Sequence, residues 1–466
     1  MLKKNLVKNI FIIVIIFLVL LFSHRVYINY LKTVPIRNYE SVIKTNSFNF
    51  QLNSFGIYKN GTSTISATKI MSKNKTLVFA ADRVSASVQK YVYSQDSTQI
   101  NNLIFDSEIR LVSGNFEGYI FDLLVDENYL YVSSVKIPKS LNECNVFQIL
   151  KIPILDNFNI ESESANVFWK SDSCIKTYPK NPGWHDFQGR LAAGEKHIYL
   201  TAGLMIASTA AGFYPNPNVS NLGPNLDDEI EKNQLFGGVI KIEKKSGKGK
   251  RVAKGFRGPS GVVVTKSNKG EMVFVVDHGP RGGDELNLLA ENKNFGWPKV
   301  SYGLPYNGFV IPENGLIKTQ FGSHEGFEKP IYYWAPSIAP SQLIVLTENL
   351  DSLSSFARGD LILSSLKAHS IFRIKLNNSS QVSSIEQVDI GTRIRDISME
   401  NKNIFLSTDD GRIIILKVDN SKIESGIFPS EENKEYFYQK IYFLRKLVSF
   451  FDGGIDYIYS KVRSVR

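Results

Sequence analysis

A short unit recurs along the chain: a turn of polar residues and glycine, then a strand rich in β-branched and aromatic residues. It occurs as TLVFAA (Thr76–Ala81), NYLYVSS (Asn128–Ser134), KHIYLTAG (Lys196–Gly203), EMVFVVD (Glu271–Asp277), GDLILSS (Gly359–Ser365) and KNIFLSTDDG (Lys402–Gly411). Stretches such as LLVDENYLYV and VVVTKSNKGEMVFVV set acids, Asn, Lys or Gly between two apolar runs, which is the punctuation of a hairpin. The units lie roughly 40 to 90 residues apart, and a propeller blade takes about 40 to 50 residues. Six units therefore predict an all-β fold, a six-bladed β-propeller with long insertions. A large β-sandwich is the alternative, but it has no need of six related hairpins. The 30 Phe and 21 Tyr also favour strands.

Both ends of the chain read differently. MLKKNLVKN is followed by the apolar run IFIIVIIFLVLLF, Ile10 to Phe22, the pattern of an export signal. At about 13 residues the run spans roughly 20 Å as a helix, short of the ~30 Å hydrocarbon core. Ser23-His24-Arg25-Val26-Tyr27 offers no small-x-small cleavage site, so an uncleaved anchor stands beside a cleaved signal peptide. Either reading puts the body outside the cytoplasm, in the periplasm or another extracytoplasmic space, anchored to the inner membrane if the segment is retained.

At the other end, Ile441, Leu444, Leu447 and Val448 fit helical spacing, with Lys440, Arg445 and Lys446 between them. This predicts a basic amphipathic helix that lies on an anionic membrane, packs on the propeller or meets a partner protein. The expected organisation is a signal anchor or signal peptide over 1–25, a linker and first strands over 26–69, the propeller over 70–418 and the basic tail over 419–466. Within the propeller, 204–235 and 290–340 look inserted, and function usually lives on such loops.

The formal charge of +10 raises the odds of anionic partners such as phospholipid or acidic glycans. No zinc finger, helix-turn-helix or RNA-recognition pattern is present, which argues against nucleic acid. The 2 cysteines, Cys144 and Cys174, exclude a zinc site of four cysteines within the chain. They form a disulfide or stay as two thiols.

The most unusual stretch is VVDHGPRGGDELNLL, Val275 to Leu289. Its glycines let carbonyl oxygens approach a ligand closely, and Pro280 removes one backbone donor. With Asp284 and Glu285 added, the loop has the oxygen donors a hard cation takes, although the spacing is not that of an EF-hand. Ordinary turn chemistry also combines glycine with acids. Around it stand Gly255-Phe256-Arg257-Gly258-Pro259-Ser260-Gly261, Asn294-Phe295-Gly296-Trp297-Pro298, Trp334-Ala335-Pro336-Ser337-Ile338-Ala339-Pro340-Ser341, Ser365-Leu366-Lys367 and Arg393-Ile394-Arg395-Asp396.

In this order the set resembles the soluble quinoprotein sugar dehydrogenases, the glucose/sorbosone dehydrogenase family, over roughly residues 70–418. Those proteins are six-bladed propellers that use pyrroloquinoline quinone (PQQ) and calcium. The resemblance implies that Lys367, Arg393 and Arg395 hold the cofactor and that Arg257 is a further cofactor-site arginine. It implies that the backbone carbonyls of Gly279 and Pro280 bind the calcium. These implications make physical sense. The quinone carries carboxylates, arginine grips carboxylate through two parallel hydrogen bonds, and residues two apart on a strand face one side.

The sequence departs from the family at the catalytic base. The family has a histidine four residues before the arginine of an H-x-x-G-R stretch, and that base takes the sugar hydroxyl proton. Here the segment is Trp184-His185-Asp186-Phe187-Gln188-Gly189-Arg190, so Asp186 holds that place and His185 stands one earlier. A one-residue slip on a strand turns a side chain to the other face, and a bulge restores it. Asp186 as base would be weaker near neutral pH. Further departures are Gly258 for an expected asparagine, Gly203-Leu204 for Gly-Asp, and Glu117-Gly118-Tyr119 without a glutamine.

Three functions follow as expectations. The first is a PQQ- and calcium-dependent oxidoreductase that oxidises an aldose or related sugar by hydride transfer, with His185 or Asp186 as base and Arg257 stabilising charge on the quinone. The second is a non-catalytic propeller that binds a glycan, a lipid headgroup or a protein. The third is a hydrolase or lactonase using Asp186 and His278, for which no G-x-S-x-G motif is present.

Overall fold

A strand that is apolar at successive positions, such as Val273 to Val276, is stable only where both of its faces are covered. The computed structural model of the protein supplies that cover. It describes residues 39–44, 49–57, 63–69, 75–82, 87–94, 102–110, 117–137, 146–155, 160, 165–172, 188–203, 235–268, 270–280, 282–303, 320–350 and 356–419. These form a six-bladed β-propeller.

Blade 1 is Ser63–Lys69, Lys75–Asp82, Ser87–Ser94 and Asn102–Arg110. Blade 2 is Glu117–Asp126, Tyr129–Ile137, Val146–Pro153 and Asn166–Lys170. Blade 3 is Leu191–Ala193, His197–Ala202, Gly238–Glu243 and Gly249–Lys254, with Lys293–Asn294 added in parallel at its edge. Blade 4 is Pro259–Ser267, Gly270–Asp277, Asp284–Leu288 and Tyr332–Trp334. Blade 5 is Pro340–Val345, Leu361–Ser365, Ser370–Leu376 and Val382–Asp389. Blade 6 is Ile394–Glu400, Asn403–Thr408 and Arg412–Asp419, completed by Asn49–Gly56 and Tyr39–Lys44 from the start of the chain.

The ring closes in two ways. The first strands of successive blades touch one another around a full cycle, from blade 1 through blade 6 and back to blade 1. Asn49–Gly56 also pairs antiparallel with Arg412–Asp419, in register from Asn49↔Asp419 to Gly56↔Arg412.

Each recurrent hairpin segment of the sequence falls on the second strand of a blade. The reason is packing. One hydrophobic cluster fills each seam between neighbouring blades. Phe274 and Val276 point into the seam with blade 5, whereas Val273 and Val275 point into the seam with blade 3. In blade 1, Leu77, Phe79 and Ala81 face blade 2 while Val78 and Ala80 face blade 6.

Among the described residues there is no helix. The apolar segment 10–22, the tail beyond residue 419, and both Cys144 and Cys174 lie outside them. Of the expected insertions, 204–234 lies outside as well. The other, 290–340, runs from the third strand of blade 4 through its fourth to the start of blade 5, and its Trp297 is buried.

Candidate functional site

The start of each first strand lies beside the end of the second, as in Pro259↔Asp277 and Pro340↔Ser365. Loops that leave second strands and enter first strands therefore gather at one rim of the central channel. Arg257, Asp277 to Pro280, Gly282, Gly283, Lys367, Arg393 and Arg395 all sit in or next to such loops.

The channel is plugged just below this rim by Arg190, which is 1% exposed. Its Nη1 lies 3.3 Å from Asp122 Oδ1 in blade 2 and 3.0 Å from Asp396 Oδ2 in blade 6. Nη2 donates to the Arg395 carbonyl at 2.8 Å and Nε to the Ser260 carbonyl at 3.0 Å. One side chain thus ties blade 3 to blades 2, 4 and 6. Burial opposes its charge, but Asp396 and Asp122 outweigh burial and hold the guanidinium protonated.

Immediately before Arg190, Gln188 and Gly189 both have left-handed backbones, with φ of 68° and 65°. A Cβ at Gly189 would lie 2.6 Å from Phe121 Cβ, so only glycine fits there. The first strand begins at Leu191. His185 and Asp186, the two candidates for the base, lie outside the described residues.

The other cations gather above the plug. Arg257 donates through Nη1 to the carbonyls of His278 at 2.6 Å and Gly279 at 3.1 Å. Its guanidinium stands 5.7 Å from the Trp297 ring centroid, and its buried Nε has no hydrogen-bond partner. Arg393 Nε and Arg395 Nε share the Asp409 carboxylate, at 2.6 Å and 2.7 Å. Burial would raise Asp409, but Arg395 and Arg393 hold it below the usual carboxylate range. Lys367 is exposed and makes no ion pair among the described residues.

Half-buried His278 reports how these charges converge. Burial first, then Arg257, Arg395, Arg393 and Lys367, push its pKa down to about 3. The structure thus brings together all four cations singled out in the sequence and keeps His278 neutral among them. Among the described residues, only Asp409 forms an ion pair with any of the four.

The carboxylates of the central loop are already engaged. Asp277 accepts the backbone N–H of Arg257 at 3.0 Å and of Gly258 at 2.7 Å, which sets the loop that carries Arg257. Burial, then Glu285, push Asp277 up to about 7 against those hydrogen bonds. Asp284 Oδ2 accepts from Ser337 Oγ at 2.7 Å and from the backbone N–H of Ile338 and Ala339, each at 2.8 Å. Its Oδ1 accepts the Gly279 N–H at 3.1 Å. Burial pushes it up to about 6. Asp284 therefore ties the WAPSIAPS segment to the GPRGG turn instead of offering oxygens to a ligand. Glu285 is taken by His324, as described below.

What the loop offers a hard cation is the backbone carbonyls of Gly279 and Pro280. A carbonyl oxygen has two lone pairs, so Gly279 can accept from Arg257 and still serve a cation. Among the described residues no group of three or more His, Cys, Asp or Glu side chains could hold a metal ion. Asp277, Glu285, His324, Ser337 and Asp409 are the site residues that sequence reasoning missed in these roles. Asp409 lies in the turn of KNIFLSTDDG, where it reads as hairpin punctuation.

Fold and site together define a six-bladed propeller with a cluster of cations gathered at one rim. A model of the glucose/sorbosone dehydrogenase family matches residues 162–416, and the chain belongs to that family. Aldose sugar dehydrogenase YliI of Escherichia coli (strain K12) is 31% identical over 167 residues, 35% of this chain and 42% of that protein. Quinoprotein glucose dehydrogenase B of Acinetobacter calcoaceticus is 24% identical over 244 residues, 42% of this chain and 47% of that protein. The chain thus spans less than half the length of these curated relatives. Among solved structures, the apo-form of the soluble aldose sugar dehydrogenase from Escherichia coli superposes with a TM-score of 0.57 at 17% identity, covering 79% of this chain and 99% of that one. A glucose dehydrogenase crystal structure gives 0.56 at 19% identity, with the same coverage. These likenesses are of fold.

Proposed function

We propose that the protein is a PQQ- and calcium-dependent dehydrogenase that oxidises an aldose or related sugar in the cell envelope. The observation that carries this reading is the convergence of Arg257, Lys367, Arg393 and Arg395 on His278, with Asp409 the one ion-pair partner of these side chains among the described residues. An excess of positive charge, half-buried at Arg257 and Arg395 and exposed at Arg393 and Lys367, favours a polyanion, and the buried Arg257 Nε, unpartnered among the described residues, calls for an acceptor. A quinone with several carboxylates meets both demands. The resident groups therefore fit the cofactor.

When bound, the quinone supplies an electrophilic carbonyl that takes hydride from the sugar carbon. The chain does the rest. Arg393 and Arg395, oriented by Asp409, and Lys367 hold carboxylates. Arg257, braced by two carbonyls and by Trp297, presents its guanidinium where negative charge develops during the reaction. The Gly279 and Pro280 carbonyls hold the calcium. His278 stays neutral, so it adds no further charge to the cradle. His185 or Asp186 takes the hydroxyl proton from the sugar. An electron acceptor from outside the chain would be needed to complete the turnover. The apolar segment 10–22 holds the protein at the membrane, and the basic tail contributes a second contact there.

The test is reconstitution of the full chain with calcium and quinone, then a sugar-dependent dye-reduction assay. Saturable binding at micromolar quinone, with turnover lost in His185→Ala or Asp186→Ala, is expected. Absence of binding at that concentration overturns the reading. Gly258, where the family has an asparagine, favours a second reading: a cradle that binds a polyanionic ligand without turnover. Binding without dye reduction by any aldose would establish it.

A further inference from the structure

His324 lies in the insertion of blade 4, 39 positions from Glu285, and plays no part in the cradle as described above. It is nonetheless enclosed. The His324 side chain is 1% exposed and that of Glu285 is 7% exposed. Its ring stacks on Tyr302 at 4.8 Å, and Tyr302 stacks in turn on Tyr333 at 4.1 Å.

The hydrogen bonds of His324 fix its proton count. Nδ1 lies 3.1 Å from the carbonyl oxygen of Glu328, which can only accept, so Nδ1 carries a hydrogen. Nε2 lies 2.7 Å from Glu285 Oε1. That contact needs one proton between the two atoms, whether written as imidazolium with carboxylate or imidazole with carboxylic acid. In both forms the pair is neutral as a whole. Burial alone would lower His324, but Glu285 outweighs it and raises the histidine.

Glu285 is directly opposite Asp277 in the antiparallel pair of second and third strands, so the two side chains stand on one face of the sheet. Both residues are 5% exposed. Glu285 also meets Asn287 Nδ2 at 3.3 Å, a neutral donor. Asp277 in turn holds the Arg257 and Gly258 amides. A path of direct contacts and one cross-strand charge pair therefore runs from the blade 4 insertion to the arginine of the cradle.

We propose that His324 is a positioning residue for Arg257: by neutralising Glu285 it frees Asp277 to hold the Arg257–Gly258 backbone. Without His324 two buried carboxylates would face each other across one strand pair, and their repulsion would loosen the grip of Asp277 on those amides. The proposal gives a role in the family's rim site to a side chain in an inserted loop. Its consequence for cofactor binding rests on the function proposed above; its structural core does not.

Amide hydrogen exchange on the full chain, without quinone, tests that core. In His324→Gln the Arg257 and Gly258 amides are expected to exchange about tenfold faster, while the Val275 and Val276 amides keep their protection. In the double variant Glu285→Gln/His324→Gln the charge conflict is gone, and protection of Arg257 and Gly258 returns. Glu285→Gln alone keeps it throughout. Unchanged exchange in His324→Gln overturns the proposal. So does a double variant that is as loose as the single one, because His324 would then act only through its ring stack. If His324→Gln fails to fold, a folded and protected double variant still supports the proposal, and an unfolded double variant overturns it. Quinone titration is a separate arm. Failure of the wild-type chain to bind quinone sinks the dehydrogenase reading and leaves the exchange result standing. If the wild type binds, the affinity lost in His324→Gln returns in the double variant, a rescue that loss of a merely structural contact would not produce.

Discussion

Arg190 and Arg257 sit within the same channel and teach opposite lessons. Arg190 is surrounded by carboxylates and carbonyls from several blades: each of its three nitrogens has a partner, and two carboxylates balance its charge. The Arg257 guanidinium rests on two carbonyls and, among the described residues, makes no ion pair and leaves its buried Nε without a partner. A buried arginine whose charge is balanced holds the fold together. One whose charge is left unbalanced among other cations marks a place for an anion. Residue type does not separate the two roles; the local count of opposite charges does.

The sharpest way to break this comparison is to remove each kind of cation in turn. Arg190→Met leaves Asp122 and Asp396 buried without their counter-charge, and a loss of about 3 to 5 kcal/mol is expected in urea denaturation. A stable Arg190→Met protein would mean that the plug is not what ties the blades. Arg393→Gln should do the reverse: stability stays near wild type, and quinone affinity in a calorimetric titration falls about 10- to 100-fold, the scale of one charge-assisted hydrogen bond. Lys367→Gln, which removes an exposed point charge, should cost only a few-fold, and that cost should shrink further in high salt.

A pH series separates a third kind of charge, the one His324 shares with Glu285. The groups that face His324 are Glu285, Asp277 and Tyr302. Its pKa in the fold is raised above the ordinary histidine value of 6.5, so the stabilisation is fully present below 6.5 and is lost as pH rises through the folded value. The gap in melting temperature between wild type and His324→Gln should therefore be widest below pH 6.5 and narrow above the folded pKa. A gap independent of pH would count against the charge pair. The smallest effect is expected at Gly258, where an added Cβ meets nothing closer than His278 Cβ at 3.6 Å. Gly258→Ala should fold at least as stably as wild type, by up to about 1 kcal/mol, since glycine's freedom there serves no left-handed turn.

The sequence was most legible where burial is two-sided. Second strands pack into a seam on each face, so they read as unbroken apolar runs and could be counted. Outer strands such as Asn166–Lys170 and Val382–Asp389 face water and carry no such run. Leu191–Ala193 is too short to show a period. The cradle cations were legible only because the ordered motifs that carry them resemble the family; singly each reads as an ordinary loop or strand charge. Their controllers were not. Asp409 acts through Arg393 and Arg395 from the end of another strand, and Glu285 gains its meaning only when a distant loop brings His324 to it. A partner chosen by three-dimensional neighbourhood leaves no local signature.

The pairing of Asn49–Gly56 with Arg412–Asp419 also has a kinetic meaning. Each blade up to the fifth is built from strands close in the chain and can form as it emerges. The sixth must wait for a strand made hundreds of residues earlier. Its closure is the most non-local contact of the fold and the step most burdened by chain entropy. Until then the early strand presents an open edge to any neighbour. The order of synthesis thus makes the junction of blade 6 the last to be secured and the first place where a slow-folding copy would pair with the wrong chain.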